Sequence, residues 1–315
     1  MVTMKLDDEI AAVLAASGRT DQVLAPPVSD LPTLRVTTDE GLQGVFSRMP
    51  ETPSVRRSTF EAIGQDGAPI PLIWYEKEDA AKGPAVIYAH GGGMICGSAA
   101  IYDPLVRYYV ELSGVSFLSV DYRLAPEFRD VGLARDMLAA LRWLRAEAAT
   151  LGIDPERIAL MGDSGGGGVA AAASLMARDE GIPLARQILV YPMLDDRNLA
   201  PDPLLAPTAS WTYEKNRIAW QAVLGTDFGT DRVSPVLAPV RSNSLEGLPS
   251  TYIEVGELDI FRDECVTYAQ RLHASGVSCE LHVLPGAPHG YDWIDLGLRL
   301  SRQAFDNRMM VLGSL

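Results

Sequence analysis

A single serine stands in a glycine-rich turn that could raise it as a nucleophile. The stretch Ile158–Gly168 reads IALMGDSGGGG, and within it Gly162, Ser164 and Gly166 form a G-x-S-x-G pattern. An apolar run of strand type precedes the serine and an alanine-rich helical run follows it, which is typical of a nucleophile elbow. The unpaired N–H groups at the helix start would favour an oxyanion beside Ser164. The alternative is a glycine turn selected only for close packing.

A second glycine cluster follows another strand-like run, 85–89. There His90 leads into Gly91, Gly92 and Gly93. Successive glycines leave backbone N–H groups accessible, as an oxyanion hole requires. A phosphate-binding loop is a competing interpretation, but the Lys and Ser/Thr of that motif are absent and the dinucleotide-binding spacing does not fit. A purely structural glycine turn stays open as a third reading.

The general base can be sought by elimination because the chain has only four histidines. His90 belongs to the glycine loop, His273 falls in a predicted helix, and His282 falls in a predicted strand. His289 remains, in a loop after the last predicted strand. A histidine at that edge of a parallel sheet could reach a serine on the same edge.

Two acidic residues, Glu257 and Asp259, follow the strand-like run 251–255. Either could orient the loop histidine by position alone. Asp263 and Glu264 already fall in the next helix, where the helix dipole favours acids in the first turn. The order serine, acid, histidine along the chain is the one expected of an α/β-hydrolase triad.

The composition predicts a globular chain. With 315 residues, 47% hydrophobic and 22% charged, it can bury one large α/β core and an appendage. The net charge of −14 argues against nucleic acid and anionic membrane surfaces as partners, and it mildly disfavours anionic substrates. A homodimer is compatible with the sequence.

The cysteines and the hydropathy pattern predict a cytoplasmic protein. Cys96, Cys265 and Cys279 have no metal-ligand spacing, and an odd number without a signal peptide indicates reduced thiols. No apolar run approaches the roughly 18 residues that a membrane span needs. We therefore expect no metal, no cofactor, no membrane association and a cytoplasmic location.

The pattern of elements predicts an α/β fold with a mostly parallel sheet and helices on both faces. Two β-rich runs, 54–64 and 70–77, are expected to form an antiparallel pair. Apolar strand-like runs then alternate with helical runs. The expected strands lie at 85–89, 116–120, 157–161, 187–191, 251–255 and 278–284.

Two segments lie outside the alternation of strands and helices, and their patterns predict a cap over the site. Residues 1–50 contain helical patterns at about 5–17 and 38–49, joined by a connector with Pro26, Pro27 and Pro32. Residues 196–233 are rich in proline and aromatics and carry one helical pattern at 214–224. We expect both segments to cover the site as cap, with the core formed by 51–195 and 234–315. The residues expected to line the substrate pocket are Met94, Ile95, Trp211, Tyr213 and Trp220.

Together, these motifs resemble those of the hormone-sensitive-lipase-like esterases, and of the bacterial members in particular. The resemblance rests on His90–Gly93, the run DYRLAPE at 121–127, the elbow Gly162–Gly166, and Ser234 with Pro235. It covers about residues 54–315 and implies the α/β-hydrolase fold, with an eight-stranded sheet and a helical cap.

Carried over residue by residue, the resemblance implies a role for each matching position. Ser164 would be the nucleophile, His289 the base and Asp259 the acid, and the N–H groups of Gly91, Gly92 and Gly165 would form the oxyanion hole. The chain departs from the family at three places, which bear on pocket shape rather than on the reacting groups. They are Gly165 in place of the usual Ala, Tyr291 in place of Phe, and Phe128–Val131 in place of a proline-containing segment.

The sequence therefore predicts a serine carboxylesterase that hydrolyses small, uncharged, short-chain esters through an acyl-enzyme. Asp163, beside the nucleophile, is expected to brace the elbow or the cap rather than transfer protons. Two alternatives stay open. One is an amidase or other acyl hydrolase with the same triad. The other is a non-catalytic ligand-binding protein on the same fold, like the plant gibberellin receptors, which lack the triad histidine.

Overall fold

The structure is a computed structural model that describes residues 4–18, 27–78 and 82–315. Part of the predicted connector, residues 19–26 with Pro26, lies outside the described residues. Within them, one eight-stranded sheet has the order β1-β2-β4-β3-β5-β6-β7-β8. The strands are β1 (Val55–Ile63), β2 (Pro69–Lys77), β3 (Gly83–Ala89), β4 (Ser116–Val120), β5 (Ile153–Asp163), β6 (Arg186–Val190), β7 (Thr251–Gly256) and β8 (Cys279–Leu284).

The sheet is parallel from β4 through β8, and only β2 runs against its neighbours. Every residue of β4 and β7 is buried, so both faces of the central strands are covered. The predicted α/β architecture and the predicted antiparallel pair are both confirmed. The parallel strands place their carboxyl ends along one edge, where ligands bind in such sheets.

Eight helices complete the described fold, with α3 packed on α8 and α4 packed on α5. The helices are α1 (Asp8–Ala16), α2 (Leu31–Phe46), α3 (Asp103–Ser113), α4 (Gly132–Ala146), α5 (Gly165–Asp179), α6 (Tyr213–Leu224), α7 (Arg262–Ala274) and α8 (Arg299–Gly313). No helix in the described part of the chain combines the length and apolar content that a membrane crossing requires.

Helix α2 is longer than the sequence predicted, and it begins at residue 31 rather than near 38. Asp30 caps it, because its Oδ1 accepts a hydrogen bond from the Thr33 amide at 2.9 Å. The sequence predicts Pro32 in the connector, but it lies in the first turn of the helix. Its missing N–H is not needed there, so proline is tolerated and the helix can start earlier.

Both N-terminal helices are attached near the carboxyl edge of the sheet. The Asp7 amide, at the start of α1, donates to the carbonyl of Gly286 at 3.0 Å, close to the loop that carries His289. In α2, Asp39 accepts a hydrogen bond from the Gly97 amide at 2.7 Å, just beyond the glycine loop. The two helices therefore contact the same edge on which the candidate site residues lie.

Candidate active site

Ser164 lies at the junction between β5 and α5, in a backbone conformation that few side chains adopt. Its φ is 54° and its ψ is −121°, which is strained for a residue other than glycine. A Cβ on Gly162 would lie 2.3 Å from the carbonyl oxygen of Gly166, and a Cβ on Gly166 would lie 2.1 Å from that of Ala89. The glycines therefore permit the close contact that keeps the serine at the crest of the turn.

The structure brings Ser164, His289 and Asp259 into one hydrogen-bonded line. His289 Nε2 lies 3.0 Å from Ser164 Oγ, and His289 Nδ1 lies 2.7 Å from Asp259 Oδ2. Asp259 is fully buried, and its second oxygen accepts a hydrogen bond from the Phe261 amide at 2.9 Å. The carboxylate is thus fixed, and it can hold the imidazole with Nε2 directed at the serine.

The other acids near this edge have different partners. Glu257, which the sequence left as an alternative to Asp259, accepts a hydrogen bond from the Gly286 amide at 3.0 Å. Glu264 was expected to be only a favourable first-turn acid, but it is buried and accepts a hydrogen bond from the Leu194 amide at 2.6 Å. Burial raises the pKa of Glu264 well above its ordinary value. Both residues anchor backbone near the site.

Two aromatic rings hold the His289 imidazole edge-on. The ring centre of Tyr191 lies 4.7 Å from that of His289, and the ring centre of Phe261 lies 5.2 Å from it. Sequence reasoning did not identify Tyr191 as part of the site. Its only sequence signal is its position directly after β6, at the carboxyl edge of the sheet.

Tyr191 is in turn held by a buried charge network. Its hydroxyl donates to Asp292 at 3.0 Å, and Arg308 Nη1 lies 2.7 Å from the same carboxylate. Arg308 also pairs with Glu254 on β7. All three charged side chains are fully buried, so the network links α8 and β7 to the segment after His289.

The glycine loop lies against the start of α5. A Cβ on Gly165 would lie 2.8 Å from the amide nitrogen of Gly93, a residue that the oxyanion-hole prediction did not include. Among the described residues, the amides of Gly91, Gly92, Gly93 and Gly165 all find no hydrogen-bond acceptor. Gly92 has a φ of 110°, which requires glycine. These buried donors are available to an oxyanion.

Gly91 faces the other side of the loop, towards Asp163. A Cβ on Gly91 would lie 2.3 Å from Asp163 Oδ2. Asp163 is buried and accepts hydrogen bonds from the hydroxyls of Tyr88 and Tyr102, the latter at 3.1 Å. Burial raises the pKa of Asp163 to about 7, against the opposing effect of the two hydroxyls. This placement suits the predicted bracing role for Asp163.

A cavity of about 640 Å³ opens beside His289. Both N-terminal helices, the segment 210–215 and the histidine loop contribute to its wall, so residues from both predicted cap segments surround it. The polar and aromatic lining includes Ser17, Glu40, Arg48, Ser210, Trp211, Lys215, His289 and Trp293.

Of the five predicted pocket residues, only Trp211 lines this cavity. Ile95 lines a neighbouring cavity of about 700 Å³, and Met94 packs beneath the glycine loop, with its Cε 2.6 Å from a Cβ placed on Gly168. Tyr213 and Trp220 line neither cavity.

The helix periodicity explains why those two aromatic residues do not face the cavity beside His289. Tyr213 and Trp220 lie about 160° and 140° around α6 from Lys215, the residue that does line the cavity. Both are buried on the opposite face of the helix.

In the part of the chain that the structure describes, no cluster of three or more His, Cys, Asp or Glu side chains is arranged to hold a metal ion.

Comparison with known proteins gives the family. A family model described as alpha/beta hydrolase fold matches residues 86–292. An ethyl acetate hydrolase from Pseudomonas putida is 34% identical over 264 residues, which are 80% of this chain and 79% of that protein. A carboxylesterase from Mycobacterium tuberculosis, NlhH, is 37% identical over 77% of each chain.

A solved structure described as a bacterial heroin esterase matches with a TM-score of 0.88 and 34% identity, covering 98% of both chains. The fold, the motifs and these relatives agree. The chain belongs to the hormone-sensitive-lipase-like family of the α/β-hydrolase fold and is a carboxylic ester hydrolase.

Proposed function

We propose that the enzyme hydrolyses short-chain carboxylic esters through an acyl-enzyme formed on Ser164. The observation that carries the proposal is the line of hydrogen bonds from Ser164 Oγ to His289 Nε2 at 3.0 Å and from His289 Nδ1 to Asp259 at 2.7 Å. A serine is a weak nucleophile until an adjacent base removes its proton, and this geometry provides that base.

The reaction proceeds in two halves. Ser164 Oγ attacks the ester carbonyl while His289 Nε2 takes the hydroxyl proton, and Asp259 stabilises the imidazolium that forms. His289 then returns the proton to the alcohol, which leaves as the C–O bond breaks. In the second half His289 removes a proton from water, and the resulting hydroxide attacks the carbonyl of the acyl-enzyme. The bond between the acyl carbon and Ser164 Oγ then breaks, His289 returns its proton to Oγ, and the acid is released.

Backbone amides stabilise the negative charge that develops on the carbonyl oxygen. Gly92 and Gly165 belong to the original oxyanion-hole prediction, and the position of Gly93 beside Gly165 adds a third donor to the proposal. Gly91 stays a prediction as a direct donor. In a serine protease, removing one preorganised oxyanion-hole donor costs about 2.7–4 kcal/mol of transition-state stabilisation.

The proposal is tested with p-nitrophenyl esters and the Ser164→Ala variant. We expect the variant to fold and to lose on the order of 10⁶ in kcat, because the attacking atom is removed. In the wild-type enzyme, mass spectrometry of a rapidly quenched reaction should detect a covalent acyl group on Ser164. A Ser164→Ala variant that keeps a tenth of the wild-type activity would end the proposal.

Matched anilides decide between an esterase and an amidase with the same triad. We expect esters to be hydrolysed much faster than anilides of the same acid. Comparable kcat/KM for the two series would favour the amidase alternative.

A further inference from the structure

We infer that Lys215 selects esters that carry a carboxylate a few bonds away from the scissile carbonyl. The inference deepens the proposed function and rests on it, because it assigns a substrate class to the same cavity. Lys215 is a specificity-determining residue in this scheme, and it takes no part in proton transfer.

Lys215 lies in the first turn of α6, on the wall of the cavity that also contains His289. Its Nζ donates to the backbone carbonyl of Ser210 at 3.3 Å and lies 6.0 Å from the ring centre of Trp211. An ammonium has three hydrogens to donate, and this bond uses one of them. Two donors are left for a ligand in the cavity.

The half-buried ammonium has no counter-ion in the protein. Across residues 4–18, 27–78 and 82–315, no carboxylate lies within 4.0 Å of Lys215 Nζ, whereas the comparably buried Arg241 has Asp196 at 2.6 Å. Burial lowers the pKa of Lys215, which reflects the cost of an unpaired charge at this position. A carboxylate supplied by the substrate would remove that cost.

The other charged residues on the cavity wall do not cancel the positive charge that Lys215 gives to the cavity. Glu40 and Arg48 are both exposed at the rim, where solvent and salt screen them. Two indole N–H groups, those of Trp211 and Trp293, find no acceptor among the described residues, but both are enclosed by protein atoms and are not open to the cavity. The charge that a ligand meets inside the cavity is therefore that of Lys215.

The net charge of −14 opposes the preference of the cavity for a carboxylate only at long range. It slows the approach of an anion, and that effect is screened by salt. Contact with Lys215, by contrast, stabilises the charged ester after it has bound. The expectation of an uncharged substrate, which came from total charge, therefore does not describe the cavity itself.

The experiment compares charged esters with neutral esters of the same shape. Monoethyl succinate is paired with ethyl isocaproate, which places the charge on the acyl side. Acetoxypropionate, with its ester on the terminal carbon, is paired with isopentyl acetate, which places the charge on the alcohol side. For each pair, kcat/KM is measured by titration of released acid at neutral pH, and the ratio of charged to neutral ester is calculated.

The enzymes compared are the wild type, Lys215→Met, Lys215→Arg and Lys82→Met. Lys82→Met removes the same charge from an exposed residue beside the amino-terminal end of β3, at the opposite edge of the sheet. We expect Lys215→Met to lower the ratio about tenfold or more in at least one pair, as for loss of a charged hydrogen bond. Lys215→Arg and Lys82→Met should keep the ratio within a few fold.

An unchanged ratio in both pairs for Lys215→Met would overturn the inference. If kcat/KM also fell equally on all four esters, Lys215 would act only by holding Ser210. Failure of the proposed function is a separate outcome. It would show as ester hydrolysis by Ser164→Ala, whatever ratio of charged to neutral ester is measured for Lys215→Met.

Discussion

The hydroxyl of Ser210 donates a hydrogen bond to the backbone carbonyl of His289 at 2.7 Å. Ser210 belongs to the segment between β6 and β7 and contributes no atom to the triad. Its bond nevertheless ends on the residue whose imidazole spans Ser164 and Asp259. The predicted cap segment 196–233 is therefore connected directly to the loop that holds His289.

Removing that bond should slow the reaction without unfolding the protein. We expect Ser210→Ala to lower kcat about two- to tenfold, the effect of one neutral hydrogen bond, because His289 becomes less well positioned. The measurement is kcat on a p-nitrophenyl ester together with the thermal midpoint. Ser234→Ala, just beyond the predicted cap segment 196–233, is the control and should leave kcat unchanged. Equal kcat for both variants would show that the bond does not position His289.

The two acids after β7 should differ sharply in their effect on catalysis. Asp259→Asn should cost about 10⁴ in kcat, because the amide favours the wrong histidine tautomer. Glu257→Gln should cost far less, since Glu257 contacts the Gly286 amide rather than the imidazole. Steady-state kcat at neutral pH measures both effects. The reverse ranking would assign the orienting acid to Glu257.

Asp163 should make the stability of the fold decrease as pH rises. Its pKa is raised from 3.8 to about 7, so the folded protein keeps a proton that the unfolded chain releases between these values. Stability is therefore lost as pH rises through this window and levels off above about 7. Because Asn has no proton to release, Asp163→Asn should gain stability relative to wild type as pH rises.

The expected gain in the free energy of unfolding between about pH 4 and pH 8 is at most ~4 kcal/mol. Denaturant unfolding at both pH values measures it. Asp179→Asn, at an exposed position, is the control and should show little change with pH. A relative stability of Asp163→Asn that does not depend on pH would mean that Asp163 titrates near its ordinary pKa.

Trp211 should restrict the length of the acyl chain. A Cβ on Gly93 would lie 2.7 Å from the Trp211 ring, so the indole lies directly over the glycine loop. We expect faster hydrolysis of acetate and butyrate esters than of dodecanoate. Trp211→Ala should raise the dodecanoate-to-butyrate ratio of kcat/KM at least severalfold, whereas Trp143→Ala, on α4, should not. Preference for dodecanoate in the wild type would contradict the prediction.

Deleting residues 1–46 should change substrate selectivity as well as stability. Both N-terminal helices contribute to the wall of the cavity beside His289, and without them that wall is open to water. We expect a higher KM and a smaller spread of kcat/KM among esters of different alcohols, measured on the folded, truncated enzyme. If only the thermal midpoint falls and the selectivity pattern is unchanged, these helices serve as structural cover.

The sequence alone determined the sheet and the set of residues at its carboxyl edge. Apolar strand-like runs and glycine turns reflect local backbone preferences and burial, which is why β3 to β8 and the elbow at Ser164 were predicted close to their observed positions. Helix α2 was predicted too short because Pro32 is compatible with both a connector and a first helical turn.

Only the tertiary structure decided which side chains meet. Ser164 and His289 are 125 residues apart, and the choice between Glu257 and Asp259 depends on how β7, β8 and the histidine loop pack together. The position of Gly93 beside Gly165 and the placement of Lys215 in the cavity depend on contacts between distant segments. Sequence patterns report local conformation and burial, whereas these contacts are fixed only when the elements pack.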